Sequence, residues 1–253
     1  MADQPVLSSI EDFIVARWEE GKEFLRTQDP SYVAAIEAAR RLANTDFVFP
    51  MSMRATFRLP DVWVKVLESC TDVHMQIEAL ETSVELLRPS RYQGLQPEEI
   101  GRVTYYHATS WVFHAYALAE KTEVLIARTC DLLPSDTKAG ALIRLTESKY
   151  RKQVQSRVTK NLERGRTPLT HGAGGVGLMA RGVTEISGGW EAGLALQIRP
   201  AAFIRSANEG SASHVGRWYA AKKRQTADRL AKLGAILAEF ESERNGIIAR
   251  HAQ

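Results

Sequence analysis

Apolar residues recur at three- and four-residue steps through most of this chain, the spacing that lines one face of an α-helix. Ser8-Ser9-Ile10-Glu11 has the form of a capping box and opens an amphipathic helix that the pattern carries to about residue 26. Asp29-Pro30-Ser31 interrupts it, and a second helix is predicted over 32–44. Residues 45–60 mix aromatics with prolines (Phe47-Val48-Phe49-Pro50, Phe57-Arg58-Leu59-Pro60) and read as an irregular connection. A long helix over 62–87 ends before Pro89. Pro97-Glu98-Glu99 places proline and two acids in a helical first turn, and that helix is predicted to reach about residue 133. Its aromatics, Tyr105, Tyr106, Trp111, Phe113 and Tyr116, suit a core or a dimer interface at helical spacing. Pro134-Ser135-Asp136 stops it and is expected to cap a basic helix over 137–163. There Tyr150, Val154, Val158 and Leu162 form one apolar stripe.

The pattern changes from 165 to 214, where glycines are frequent and helical periodicity fades. Val183-Thr184-Glu185-Ile186, then Gly188-Gly189, then Leu194-Ala195-Leu196-Gln197-Ile198 predict a short β-hairpin. A last helix over 214–249 carries Trp218, Leu230, Leu233, Leu237 and Phe240 on its inner side. The expected fold is mainly α, a bundle of long antiparallel helices with a glycine-rich, β-hairpin-containing insertion before the last helix. Residues 1–60 are expected to pack on that bundle as an N-terminal helical segment, with 61–253 as the bundle and the insertion at about 172–213.

Charge alters this picture because it is unevenly spread. The first 100 residues hold 10 Lys/Arg against 17 Asp/Glu, and the remaining 153 hold 23 against 13. Such asymmetry fits either a polyanion-binding surface in the second half or complementary packing between the halves. Cys70 and Cys130 are too few for a disulfide framework or zinc site, and each lies in an apolar helical pattern, so buried free thiols are expected. No signal-peptide layout and no apolar run of about 18 residues is present, and the chain reads as cytoplasmic with no membrane partner.

Three candidate chemistries follow. Gly172-Ala173-Gly174-Gly175-Val176-Gly177 matches a dinucleotide fingerprint, but it follows a helix and a proline turn rather than a strand, so a nucleotide cofactor is not expected. These glycines are better read as a mobile flap beside the Arg166–His171 segment, or as a place where the backbone can approach a phosphate. His74, Glu78, Glu81 and Glu85 share roughly one helical face, yet no histidine here has an acid three residues before it, as helical di-metal sites require. No metal or other cofactor is expected. Trp190, beside Gly188-Gly189, is a candidate for contact with a partner or a base.

The third is the most specific. From Arg144 to Arg166 eight cations (Arg144, Lys149, Arg151, Lys152, Arg157, Lys160, Arg164, Arg166) face only Glu147 and Glu163, and the run ends in Arg166-Thr167-Pro168-Leu169-Thr170-His171-Gly172. Arginine clamps a phosphate oxygen and histidine moves protons near neutral pH. Three further Arg/His pairs have related spacing. Arg164/His171 shares the same histidine. Arg102/His107 lies within one helix, where five residues leave the side chains roughly 140° apart, so His107 is expected to face the bundle. Arg244/His251 falls three residues from the end of the sequence and is expected to be a frayed, exposed tail.

The Arg166–His171 segment resembles the Arg-x(4–6)-His signature of the HEPN superfamily of helical-bundle ribonucleases and nucleotide-binding proteins, with Thr167 where asparagine is commoner. The resemblance covers the motif and the long helices around it, over about 60–250. It implies a metal-independent endoribonuclease in which His171 handles the 2′-hydroxyl or leaving-oxygen proton and Arg166 holds the scissile phosphate. Products would carry 2′,3′-cyclic phosphate and 5′-hydroxyl ends. It further implies a homodimer pairing two motifs, a toxin or phage-defence role, and an inhibitory or activating protein partner. Lys149, Lys152, Lys160, Arg164 and Thr167 would bind RNA. The alternatives are a non-catalytic RNA- or nucleotide-binding module and a helical scaffold whose acidic first half holds a basic partner.

Overall fold

The computed structural model describes residues 4–28, 60–95, 97–159 and 200–251. These are almost entirely helical: α1 (Gln4–Gln28), α2 (Asp61–Glu85), a short 3₁₀ turn (Pro89–Tyr92), α3 (Pro97–Cys130), α4 (Lys138–Val154), a π-helical turn (Gln155–Thr159) and α5 (Pro200–His251). None is long and apolar enough to cross a membrane. The predicted 32–44 helix, the glycine-rich loop, the hairpin and Trp190 lie outside the described residues.

Where one helix was expected over 137–163, α4 gives way to the π-helical turn after Val154, and 160–163 lie outside the described residues. Two starting boundaries also differ from expectation. α1 starts at Gln4, so Ser8 and Ser9 lie inside the helix rather than capping it, and Pro5 occupies the first turn, where its missing N–H costs nothing. α5 starts at Pro200 rather than near 214. Here again proline opens the helix, and the Ala- and Ser-rich run behind it lacks an apolar stripe by which periodicity could have found it. The cap of α4 is also displaced. The Thr137 hydroxyl, not Ser135 or Asp136, accepts the Gly140 N–H at 3.0 Å. A Cβ on Gly140 would stand 2.0 Å from the Pro134 carbonyl oxygen, so only glycine allows this tight entry.

Buried positions along α2 step alternately by three and four: Trp63, Val66, Cys70, Val73, Ile77, Leu80, Val84. A seam that regular keeps one face of the helix dry over its whole length. The chain gathers into two compact units, one drawn from Met1–Val73, Lys121–Lys152 and Leu233–Gln253, the other from His74–Glu120 and Gln153–Lys232.

In the first unit, α1 and α2 run antiparallel, with Phe24 against Trp63 and Gly21 close to Trp63 and Leu67. α3 and α4 are likewise antiparallel, through Asp131–Arg144 and Glu123–Arg151. α1 and the end of α5 are not. Their contacts advance together along both helices (Phe13–Phe240, Arg17–Glu241, Glu20–Arg244), so this pair departs from the expected antiparallel order. Phe240 also takes the edge of Tyr150 at 5.3 Å between ring centroids.

The second unit is closed by Ile77, Leu80, Trp111, Leu118, Val154 and Val158, with a satellite cluster of Tyr92, Ile100 and Val215. The aromatic run of α3 therefore divides, since Trp111 is core while Tyr106 and Phe113 are exposed.

Cys70 and Cys130 are both free and fully buried, and burial pushes each thiol up to about 12. Neither is a thiolate at neutral pH, so neither is a nucleophile. Iodoacetamide at pH 7.5 is expected to leave both unmodified in the native protein and to alkylate both in guanidinium, which mass spectrometry would count.

Candidate functional site

Of the residues assigned to the RNA site, Lys149 and Lys152 are described, and Lys160, Arg164, Arg166, Thr167 and His171 lie outside the described residues. Lys149 is engaged within its own unit. Its ammonium donates to Glu243 at 2.6 Å, and the Tyr150 hydroxyl donates to the same carboxylate at 2.6 Å. These bonds from Lys149 and then Tyr150 hold the Glu243 carboxyl below its usual range. Arg144 pairs with Asp131 at 3.0 Å, and Arg151 with Glu147 at 2.9 Å and Glu123 at 3.6 Å. Of the five described cations of the run, three thus pair with acids of the first unit, whereas Lys152 and Arg157 are exposed with no ion pair among the described residues. On the expectation of RNA binding, Lys149→Gln should change affinity and its salt dependence less than Lys152→Gln, which should weaken affinity and reduce the salt slope by roughly one. Filter binding across a salt series separates the two.

The other Arg/His pairs resolve physically. His107 is half-buried, and burial and then the nearby Arg91 charge hold its imidazole below the usual range, with Nδ1 buried and unpartnered. That fits a bundle-facing histidine. Arg244 is not in a frayed tail. α5 stays helical to His251, Arg244 is 5 % exposed, and its guanidinium forks onto Glu20 at 2.9 and 3.1 Å. His74 lies 3.4 Å from Glu78 on an exposed surface, and the described residues contain no group of three or more side chains placed to hold a metal. His114 accepts at Nδ1 from the Gln76 amide at 2.7 Å, which leaves its proton on Nε2.

Two pairs of buried cations stand out, because buried charge requires compensation. The first unit holds Arg17, fully buried, and Arg244. They share Glu20 and Glu241: Arg17 contacts Glu241 and lies 3.1 Å from Glu20, while Arg244 adds a 3.5 Å contact to Glu241 beside its Glu20 fork. Two positive and two negative groups cancel. Glu20–Arg244, like Asp72–Lys121 at 2.6 Å, joins the acidic first part of the sequence to the basic remainder, so part of the charge asymmetry is complementary packing. Beside this network an open cleft of about 360 Å³ is lined by Asp12, Phe13, Glu241 and Asn245, and its carboxylates make it hostile to phosphate.

The second unit holds Lys222 and Arg229, 4 % and 9 % exposed. With Thr226 they occupy the buried stripe of α5 that continues through Leu230, Leu233, Leu237 and Phe240, positions where apolar side chains belong. All three converge on Trp111 of α3. Lys222 Nζ is 3.8 Å and Arg229 Cζ 4.9 Å from the ring centroid, and the indole Nε1–H donates to Thr226 Oγ1 at 2.8 Å. Lys222 donates to the Gln225 side-chain oxygen at 3.2 Å and Arg229 Nη1 to the Gln225 carbonyl at 3.3 Å, while Arg229 Nε is buried with no acceptor. Neither cation has an ion-pair partner among the described residues. The acid whose charge acts on Arg229 is Asp228, which is itself paired with Lys232 at 2.7 Å. Burial, then the Arg229 charge, pushes Lys222 down to about 8, so it remains mostly charged at pH 7. Each desolvated cation costs several kcal/mol. A desolvated cation–π contact returns only about 2 kcal/mol, which leaves the pair under-compensated.

Neither Lys222 nor Arg229 was among the residues expected to carry function. The signal was present, since residues 222, 226 and 229 fall on the register of the apolar stripe. Compared with models of protein families, with curated proteins and with solved structures, the chain matches none of them.

Proposed function

We propose that this chain is a metal-independent endoribonuclease of HEPN type, acting as a homodimer, with Arg166 and His171 as its catalytic residues. The observation that carries the reading is the run Arg166-Thr167-Pro168-Leu169-Thr170-His171-Gly172, which follows a basic helix in a chain whose described residues are almost entirely helical. α4 passes into a π-helical turn at Gln155–Thr159, seven residues before Arg166, and such turns concentrate near functional sites. RNA contact is assigned to Lys149, which also pairs with Glu243, and to Lys152, Lys160 and Arg164, with Thr167 beside the phosphate. His171 would take the proton of the attacking 2′-hydroxyl or return one to the leaving 5′-oxygen, the partner subunit's motif supplying the complementary role. Arg166 would hold the scissile phosphate and stabilise the charge that builds on its oxygens.

A toxin or phage-defence role, with an inhibitory or activating partner, belongs to the same reading and rests on the resemblance alone. The test is cleavage of RNA by the purified chain in excess chelator, with Arg166→Ala as the control. Cleavage by the parent chain only is the expected result. RNA binding of equal strength in both, without cleavage in either, would favour a non-catalytic RNA-binding module.

A further inference from the structure

We propose that Lys222, Thr226 and Arg229, gathered around Trp111 in the second unit, form a binding site for a phosphate-type oxyanion. The proposal uses neither Arg166 nor His171 and does not depend on their catalysing cleavage.

The donor inventory fits this chemistry. Lys222 uses one of its three N–H groups on Gln225. Thr226 accepts from the indole and keeps its own hydroxyl proton to give. Arg229 spends Nη1 on a carbonyl of its own helix and holds Nε–H with no acceptor in a buried position. Steps of four and three residues along α5 put these donors on one helix face, and the same indole anchors all three. Ammonium, hydroxyl and guanidinium gathered around one indole ring are the donor types that bind a tetrahedral oxyanion.

The first unit supplies the contrast within the same chain. There Arg17 and Arg244 are equally buried, and two carboxylates meet them directly. Around Lys222 and Arg229 no carboxylate among the described residues stands within ion-pair distance, and the missing negative charge is the opening for a ligand. Groups so little exposed suit a compact anion, inorganic phosphate or a terminal phosphomonoester, rather than an internal phosphodiester of a long polymer.

The test titrates inorganic phosphate to 10 mM against the full chain at fixed ionic strength, with chloride as the balancing salt. The readouts are thermal melting and titration calorimetry. The expected result is one phosphate per chain and a saturable rise in Tm, roughly 5–10 °C at a hundredfold excess over Kd. Both responses should vanish in Lys222→Met and in Arg229→Met. AMP bound with the same dependence on the two residues would assign a phosphomonoester, while phosphate binding without AMP would assign the free anion. A Tm rise that persists in both variants would be a general salt effect and would overturn the proposal. So would absence of saturable heat in the parent chain, the result expected where an acidic side chain of the protein already sits on these cations. That last readout needs no variant and holds even where the substitutions prevent folding.

Discussion

Glu241→Ala is expected to remove about 3–5 kcal/mol of folding stability, lowering Tm by roughly 10 °C for a chain of this size. Glu241 is the carboxylate on α5 that both Arg17 of α1 and Arg244 of α5 contact, and it is less exposed than Glu20, the other carboxylate they share. Its loss leaves Arg17 and Arg244 sharing Glu20 alone, and Glu20 is 35 % exposed and less able to compensate charge in the dry interior. Breaking a buried pair on one side is costly because the surviving charge stays desolvated; removing both sides is not. Arg17→Met combined with Glu241→Met should therefore recover a large part of the loss. Asp12→Ala, in the same cleft, should move stability by less than about 0.5 kcal/mol. Urea denaturation of the three variants measures this. Equal, small losses in all of them would mean that the network is ornamental to the fold.

The second large effect is on chemistry. His171→Ala should lower RNA cleavage by about 10²–10⁴-fold, the range for loss of one general acid–base group. RNA affinity should stay within about twofold, because the phosphate contacts assigned to Lys152, Lys160 and Arg164 do not involve the imidazole. Arg166→Ala should cost about 10²–10³-fold in rate. With one histidine acting as base and its dimer mate as acid, the rate–pH profile should be bell-shaped. A monotonic profile that survives His171→Ala would place the chemistry elsewhere.

Much of the helical skeleton was legible because proline punctuates it. Pro89, Pro97 and Pro134 mark the boundaries of α2, α3 and α4 to within about three residues of the periodic reading. Where the sequence misled, local and tertiary signals competed. Ser8-Ser9-Ile10-Glu11 has cap chemistry, but the four preceding residues with Pro5 already satisfy the requirements of a first turn. At 200–213 the residues favour helix by composition without an apolar stripe, and periodicity is blind to such a stretch.

The candidate chemistry shows the same division. The buried thiols could be read from their apolar surroundings. The commitment of Lys149 to Glu243 could not, since the two are 94 residues apart, and nothing local distinguishes a paired lysine from a solvated one. Arg244 misled in the opposite sense. Position near the end of the sequence suggested fraying, whereas its partner Glu20 lies 224 residues away. Lys222 and Arg229 occupy an intermediate case, visible in the register of α5 once charge on an apolar stripe is treated as a signal.

The measurement closest to the central claim is end-group analysis of RNA incubated with the purified chain in excess EDTA. Fragments ending in 2′,3′-cyclic phosphate and beginning with 5′-hydroxyl are expected from the parent chain and not from His171→Ala. Intact RNA, 3′-hydroxyl ends, or cleavage that needs added magnesium would contradict it.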